Sequence, residues 1–142
     1  MSEALADLDR RLANIIRVGR IVSVDPGKAA AVVDFGNLKS PALPIGQLSA
    51  GALQFWWMPS AGEQVLVACE GGDLAQGVIV ASLYSGNAPS SDGAVPQINL
   101  SGGRMVVNGT LEVTGDVIAS GISLVEHTHP ETQGSKTGAP NS

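Results

Sequence analysis

The two histidines of the chain, His127 and His129, stand one residue apart near its C-terminus. In an extended segment, residues i and i+2 project to the same face, so both imidazoles can be directed to one point. Such a pair is half of a metal site, because a closed zinc site takes four ligands and an octahedral site takes six. The spacing is equally compatible with a solvated turn that carries two unrelated histidines.

A third ligand for the histidine pair is not obvious in the sequence. Cys69 is distant, and Glu126 and Glu131 flank the pair at undefined angles. A small metal-dependent hydrolase would use two histidines, a carboxylate and a water molecule. Catalytic sites lie in concave pockets built by several elements, whereas this pair lies on a terminal, glycine-rich stretch. The sequence favours a protein that is not an enzyme and has no catalytic residues, with the hydrolase as an alternative.

The residues before the pair repeat with a period of six. Glycines recur along this stretch, and His127 is the next position in their register. Apolar residues recur between them at odd positions, a parity that His127 and His129 continue. This pattern predicts repeated strands and bends, as in a β-helix or β-prism. The glycines are Gly103, Gly109, Gly115 and Gly121, and the apolar positions are Met105, Val107, Leu111, Val113, Val117, Ala119 and Val125.

The repeat is too short to form a covered core by itself. Repeat arrays generally need about three or more units, and these hexads make barely more than one triangular coil. We therefore expect copies of the chain to complete it as a homotrimer. A threefold axis would bring two histidines from each of three chains, six imidazoles in all, to one point. A trimer would therefore supply the ligands that one chain lacks, and a shared metal would account for the histidine pair at the end of the repeat.

Residues 15–84 have the pattern of a small antiparallel barrel of the OB type. Turn residues separate short apolar runs, and the connection over 45–62 is long. Before the barrel, leucines at helical spacing predict a helix over 2–14. The predicted strands are Ile15–Val24, Ala29–Phe35, Lys39–Leu43 (ended by Pro44), Gln64–Cys69 and Val78–Leu83.

The fold class is therefore all-β: a short N-terminal helix, a five-stranded OB-like barrel and a C-terminal intertwined trimeric β-helix or β-prism. The predicted domains are an N-terminal helix (1–14), an OB-fold collar (15–84), a linker (85–95), a trimeric spike (96–126) and a metal-binding apex (127–142).

Charge argues against a nucleic-acid partner. The chain has a formal net charge of −5, and phosphate binding needs clustered lysine and arginine. The aromatic run Phe55-Trp56-Trp57 can stack on bases in an OB-fold. Given the charge, we expect these rings to cover the barrel or a subunit contact. An OB-fold binding module for nucleic acid or a partner protein is the alternative function.

The first residues lack the basic and apolar regions of a secretion signal, and no apolar run is long enough for a membrane helix. One cysteine precludes an internal disulfide and fits a reducing compartment. We expect synthesis in the bacterial cytoplasm without a signal peptide.

The histidine pair, the hexads and two stretches of the barrel resemble the baseplate assembly protein V family, the membrane-piercing spikes of contractile tails in phages and pyocins. The matching stretches are His127-Thr128-His129 with the tail Thr137-Gly138-Ala139-Pro140, the segment from Trp57 to Val67, and Gly72-Asp73 with Gly77 to Tyr84. Pro130 departs from the pattern, since glycine is usual there.

The resemblance implies a spike at the tip of a contractile tail, of a phage or an R-type pyocin, that pierces the host outer membrane. In that family the apex histidines of three chains bind one iron ion; another divalent metal is possible, since several ions suit imidazole. The ligands here would be His127 and His129. The OB collar would attach the spike to the hub proteins of the baseplate, and the protein would reside in the virion or pyocin particle.

Overall fold

The computed structural model describes residues 2–130, and the chain divides into two compact units, residues 1–97 and 98–142. The first unit begins with α1 (Glu3–Ala13), which confirms the predicted helix. Ser2 is its N-cap, and the Ser2 hydroxyl accepts a hydrogen bond from the Leu5 amide at 3.2 Å. None of the helix side chains is buried in the single chain. No helix among residues 2–130 is long and apolar enough to span a membrane.

Helix α1 contacts the barrel through its backbone. A Cβ atom added to Gly72 would lie 2.1 Å from the Arg11 carbonyl oxygen, so a side chain at residue 72 would prevent the contact. Gly72 also has a φ of +75°, which glycine adopts at little cost. The apolar face of the helix, formed by Leu5, Leu8 and Leu12, is left more than half exposed.

Five antiparallel strands form one curled sheet in the order β3-β2-β1-β4-β5. The edges approach each other where Ile45 forms a parallel bridge to Ile79 and the Gly46 amide donates to the Ile79 carbonyl at 2.8 Å. This closure makes the sheet an OB-like barrel, as the sequence predicts. The strands are β1 (Ile16–Asp25), β2 (Ala30–Asp34), β3 (Leu43–Pro44), β4 (Gln64–Cys69) and β5 (Gly77–Leu83).

The third strand differs from its prediction over 39–43. Lys39 forms an isolated bridge to Asp34, and the ladder with β2 is confined to Leu43 and Pro44. Pro44 is the last residue of this short strand and is paired with Ala30. Proline is tolerated there because β3 is an edge strand, where a missing amide leaves no ladder partner unsatisfied.

The barrel core consists of alternating apolar side chains from the strands. Each strand presents every second residue inward, as the pleat requires. Gly19 allows β1 to lie close to β2, since a Cβ atom there would be 2.5 Å from Val33 Cγ1. The core cluster is Ile21, Ala31, Val33, Phe35, Leu43, Val65, Val67, Cys69 and Ile79.

The long connection before β4 is held by hydrogen bonds from one glutamine. The Gln47 amide group donates to the Trp57 carbonyl at 3.0 Å and accepts from the Trp57 amide at 2.8 Å. The rings of Phe55 and Trp57 stack with centroids 6.0 Å apart. Neither ring is buried in the single chain, and Trp56 is 62% exposed. The rings are not part of the core cluster, and their role as a cover over the barrel or in a subunit contact stays a prediction.

The second unit is described over residues 98–130, and none of these residues is buried. Residues 103–117 form no strand within the chain. A hairpin follows, formed by β6 (Ile118–Ala119) and β7 (Ile122–Ser123). The predicted trimeric prism stays a prediction, as do the boundaries of the linker, spike and apex.

Candidate metal centre

A tight hairpin leads into the histidine pair. Ile118 is paired with Ser123 and Ala119 with Ile122. The two turn residues, Ser120 and Gly121, have φ values of +52° and +81°. Positive φ at both positions is the conformation that matches the right-handed twist of a two-residue hairpin. The Ser120-Gly121 pair therefore forms the turn that the sequence predicts at this position.

The chain turns again directly after β7, before it reaches His127. The Leu124 amide donates to the Val117 carbonyl at 2.8 Å, which continues the hairpin by one hydrogen bond. The Glu126 amide donates to the Ser123 hydroxyl at 2.9 Å, and the His127 amide to the Ser123 carbonyl at 3.2 Å. The predicted alternation of strands and bends is therefore realised here as the two-residue strand β7, followed by a turn over residues 124–126.

This turn fixes the protonation of the His127 ring. Its Nδ1 lies 2.8 Å from the Ser123 carbonyl oxygen and 3.0 Å from the Leu124 carbonyl oxygen. Carbonyl oxygens only accept, so Nδ1 carries the proton and donates to them. In the neutral ring, Nε2 then has the free lone pair. Histidine ligands to metals are commonly held in this way, with the second ring N–H bound to a carbonyl or carboxylate.

The two imidazoles converge through their Nε2 atoms. His127 Nε2 lies 3.1 Å from His129 Nε2, and the rings are nearly perpendicular, with centroids 4.8 Å apart. Without metal, the contact is an N–H···N hydrogen bond that His129 donates, because His127 Nε2 is the acceptor. The sequence prediction that both rings are directed to one point is confirmed by this contact.

The distance between the two nitrogens also fits adjacent ligands on one metal ion. With metal–nitrogen bonds of about 2.1 Å, ligands at right angles are about 3.0 Å apart, and tetrahedral ligands about 3.4 Å. The observed 3.1 Å is nearer to the octahedral value. Transfer of the proton of His129 from Nε2 to Nδ1 of the same ring would thus convert the hydrogen-bonded pair into a two-ligand clamp, with little change in the distance between the two Nε2 atoms.

One chain does not complete a metal site within residues 2–130. No group of three or more histidine, cysteine, aspartate or glutamate side chains that could hold a metal occurs there. Cys69 belongs to the barrel core, where it is 2% exposed. Glu131, which the sequence offers as a flanking carboxylate, lies outside the described residues.

Sequence reasoning missed Asp116, an acidic residue of the hairpin. Its Oδ1 accepts from the Val117 amide at 2.8 Å and from the Val125 amide at 3.1 Å. These hydrogen bonds, led by one from the Ser123 hydroxyl, lower the pKa of Asp116 below its ordinary value of 3.8. The sequence signal for this role was weak, because an aspartate that follows a glycine at the start of an apolar segment is typical of a turn.

A groove of the first unit is distant in sequence from the histidines. Its volume is about 400 Å³, and it lies along the outer part of β5, between Trp57 and Tyr84. Its lining is mostly apolar and backbone, with Glu63 as a carboxylate. Glu63 is engaged by the Ser82 hydroxyl at 2.6 Å.

The chain is similar in sequence to known proteins of phage baseplates and related injectors. Residues 17–84 match the sequence model of the type VI secretion system/phage-baseplate injector OB domain. The chain is also 33% identical over 129 residues to the spike protein of Escherichia phage P2. That match covers 82% of this chain and 60% of the phage protein, so the chain spans less than two thirds of its relative.

The resemblance to baseplate spikes that the sequence indicates is thereby confirmed. The matched segment 17–84 coincides with the barrel, which includes β1 to β5. Residues 17–84 are similar to the injector OB domains of type VI secretion systems and phage baseplates, and the chain is similar to a phage spike protein over most of its length.

Proposed function

We propose that the protein is the non-enzymatic spike at the tip of a contractile tail, which pierces the outer membrane of the host as a metal-capped homotrimer. The observation that carries this proposal is that none of the apolar side chains over residues 98–130 is buried, and that the large ones named below are 40–70% exposed. In an isolated chain this surface would remain in contact with water, at a cost of roughly 25 cal/mol per Å² of apolar area. The large apolar residues concerned are Ile98, Met105, Val106, Val107, Leu111, Val113, Val117, Ile118, Ile122, Leu124 and Val125.

The backbone of the same segment supports completion by other chains. Residues 103–117 form no strand and have no ladder partner among residues 2–130. Backbone amide and carbonyl groups that become buried must find hydrogen-bond partners. Strands from two further copies would provide these partners and cover the apolar side chains in one step. The hexads, with one glycine at each bend, suit such an intertwined prism.

The histidine geometry supports a metal on the threefold axis. Each chain would contribute His127 Nε2 and His129 Nε2, already 3.1 Å apart, and three chains would provide six imidazole nitrogens. Iron is the ion that the family resemblance implies, and another divalent ion would also suit six nitrogens. A metal bonded to all three chains would prevent the strand ends from separating under load.

The barrel is the proposed attachment to the hub proteins of the baseplate. Its outer surface and the helix before it have large apolar side chains that the single chain leaves exposed, which suits contacts with neighbouring copies and a hub. These residues are Leu5, Leu8, Leu12, Ile16, Val18, Leu48, Leu53, Trp56, Val78 and Val80. The spike itself would need no catalytic residue, because sheath contraction supplies the work.

Subunit count together with metal content tests the proposal. Sedimentation equilibrium and plasma mass spectrometry of the purified full chain should give a trimer with one metal ion per three chains. One metal per chain would favour a hydrolase, and a metal-free protein with salt-sensitive oligonucleotide binding would favour a nucleic-acid module. A metal-free monomer would contradict the spike. Immunogold labelling of intact particles should place the chain at the tail tip.

A further inference from the structure

Asp116 connects the two sides of the hairpin that precedes His127. Its Oδ1 accepts from the Val117 amide on the entering side, at 2.8 Å, and from the Val125 amide on the leaving side, at 3.1 Å. The Ser123 hydroxyl donates to the same carboxylate. One side chain thus binds an adjacent amide and an amide nine residues away in sequence, and so holds the two sides of the hairpin base together.

The groups that Asp116 holds are next to those that orient His127. Val125 follows Leu124, whose carbonyl accepts from His127 Nδ1 at 3.0 Å. Ser123 provides the other carbonyl acceptor, at 2.8 Å, and its hydroxyl accepts from the Glu126 amide at 2.9 Å. Displacement of Ser123 or Val125 would therefore move both oxygens that hold the ring proton.

We propose that Asp116 is a positioning residue of the metal centre, which holds the 123–126 turn so that His127 presents an unprotonated Nε2 to the metal. The inference rests on the proposed function, since it concerns the same two histidines. Asp116 acts through Ser123 and Val125, to which it is hydrogen-bonded. Each chain would therefore preorganise its own two ligands before the trimer closes.

Preorganisation has a measurable value at metal sites. A free imidazole prefers the proton on Nε2, the atom that must bind the metal here, so a loosened turn would let His127 return to the wrong tautomer. Loss of partners that orient a ligand typically costs 10–100-fold in metal affinity. The lowered pKa of Asp116 supports the geometry, because it reflects hydrogen bonds made to the charged carboxylate.

The test uses the full chain and three substitutions, Asp116→Ala, Asp116→Asn and Asp116→Glu. Asp92→Ala is the matched control, because Asp92 Oδ1 likewise accepts a backbone amide, that of Ala94 at 2.9 Å, but in the linker. The first readout is the ring tautomer of His127 by ¹⁵N NMR of the metal-free protein at about pH 8, above the free imidazole pKa of about 6.5. The second is Co²⁺ affinity by chelator competition, with the subunit count measured alongside.

For Asp116→Ala, we expect the Nδ1–H tautomer of His127 to lose its dominance and Co²⁺ to bind about 10–100-fold more weakly, with the trimer retained. Asp116→Asn should restore both readouts largely, because its amide oxygen can accept the same backbone hydrogen bonds. Asp116→Glu retains the charge but displaces the carboxylate, so it should fail in both readouts. Asp92→Ala should match the wild type.

The two readouts separate this inference from the proposed function. A wild-type tautomer and affinity in Asp116→Ala, or in Asp116→Glu if the alanine variant does not assemble, would overturn the positioning role. If no variant and not even the wild type binds Co²⁺, the proposed metal cap is wrong. The tautomer shift in the metal-free protein would still decide whether Asp116 positions His127.

Discussion

The behaviour of His127 is set by its immediate backbone. Two carbonyl oxygens, of Ser123 and Leu124, face Nδ1 and leave Nε2 to meet the ring of His129. A side chain held at two points loses little further rotamer freedom when it binds a metal. At the residue scale, the pair is therefore a prepared clamp, and its two members should be equally necessary.

Replacing either member of the clamp should remove the metal. In a homotrimer, His127→Ala or His129→Ala deletes three ligands at once, and the remaining three imidazoles should hold a divalent ion poorly. The trimer should persist, because the prism and collar bury far more surface than the apex. Thr128→Ala, between the two ligands, is the matched control and should retain the metal.

Plasma mass spectrometry and light scattering measure both quantities on the same samples. Full metal retention in either histidine variant would exclude the pair from the site. Dissociation of a variant into monomers would show that the metal, and not the prism, holds the chains together.

The buried thiol of Cys69 should make the stability of the protein depend on pH in the alkaline range. Burial raises the pKa of its thiol above the ordinary 9.0, and Asp73 adds to this rise while Arg17 opposes it. The native state then keeps the proton that the unfolded state loses. The thiol therefore leaves stability unchanged well below pH 9.0, and the free energy of unfolding falls as pH rises above that value.

Urea unfolding between neutral and alkaline pH would test this dependence. Cys69→Ala lacks the thiol, so its stability should fall less steeply than that of the wild type over the alkaline range, even if it is lower throughout. Equal slopes for the two proteins would show that the thiol does not contribute.

The sequence predicted His127 and His129 as metal ligands, but it did not predict which groups orient their rings. The i, i+2 spacing of His127 and His129 brings their rings together, as expected, although the backbone before them is turned and not extended. The role of Asp116 depends on hydrogen bonds across nine residues, to Val125. Such contacts follow from the hairpin register, which residue spacing does not define.

At the scale of elements, strands that are apolar and bounded by turn residues were predictable. The strand Gln64–Cys69 is observed as predicted. Its side chains alternate between the core and the outside, and this alternation, together with the flanking turns, allows one pairing register with its neighbours. The third strand was not, since its pairing with Ala30 and Ala31 depends on how the sheet edge curls. Propensity rules disfavour proline in strands and say nothing about which strand becomes an edge.

Replacement of Gly19 by alanine should destabilise the barrel. A methyl group there would lie 2.5 Å from Val33 Cγ1 and 2.9 Å from the Asp34 carbonyl oxygen, so β1 and β2 would have to separate. Overpacking of this kind costs about 1–3 kcal/mol. Gly51→Ala is the control, because a Cβ atom there meets nothing within 4 Å.

Chemical denaturation of the two glycine variants gives the difference directly. Gly19→Ala should lower the denaturation midpoint clearly, whereas Gly51→Ala should leave it near the wild-type value. Similar midpoints would mean that the β1–β2 contact can relax at little cost.

At the scale of the whole molecule, the two units differ in whether the single chain buries their apolar side chains. Residues 1–97 contain a core that the chain covers by itself, whereas none of residues 98–130 is buried. The sequence anticipated this contrast from length, because the hexads are too few to cover their own apolar positions. It could not define how three chains would wind about an axis. Pairing between chains is visible in one sequence only as apolar residues at alternate positions.

The final prediction concerns which positions of the hexads face the threefold axis. If odd positions face the threefold axis, Val113→Asp places three carboxylates close together in a dry interior. Each buried, unpaired charge costs several kcal/mol, and repulsion among the three adds to this cost. Val113→Asp should therefore abolish assembly, which sedimentation equilibrium would show as a monomer.

Glu112→Gln is the matched control for Val113→Asp, because it alters charge at the neighbouring even position. With Glu112 facing solvent, the glutamine variant should assemble like the wild type and change only the net charge. The OB unit should remain folded in both variants, since its core is covered within residues 1–97, and circular dichroism can verify this. Equal loss of assembly at Glu112 would show that the inward face of the prism is the even one, and the histidines, which share the parity of Val113, would then face away from the axis.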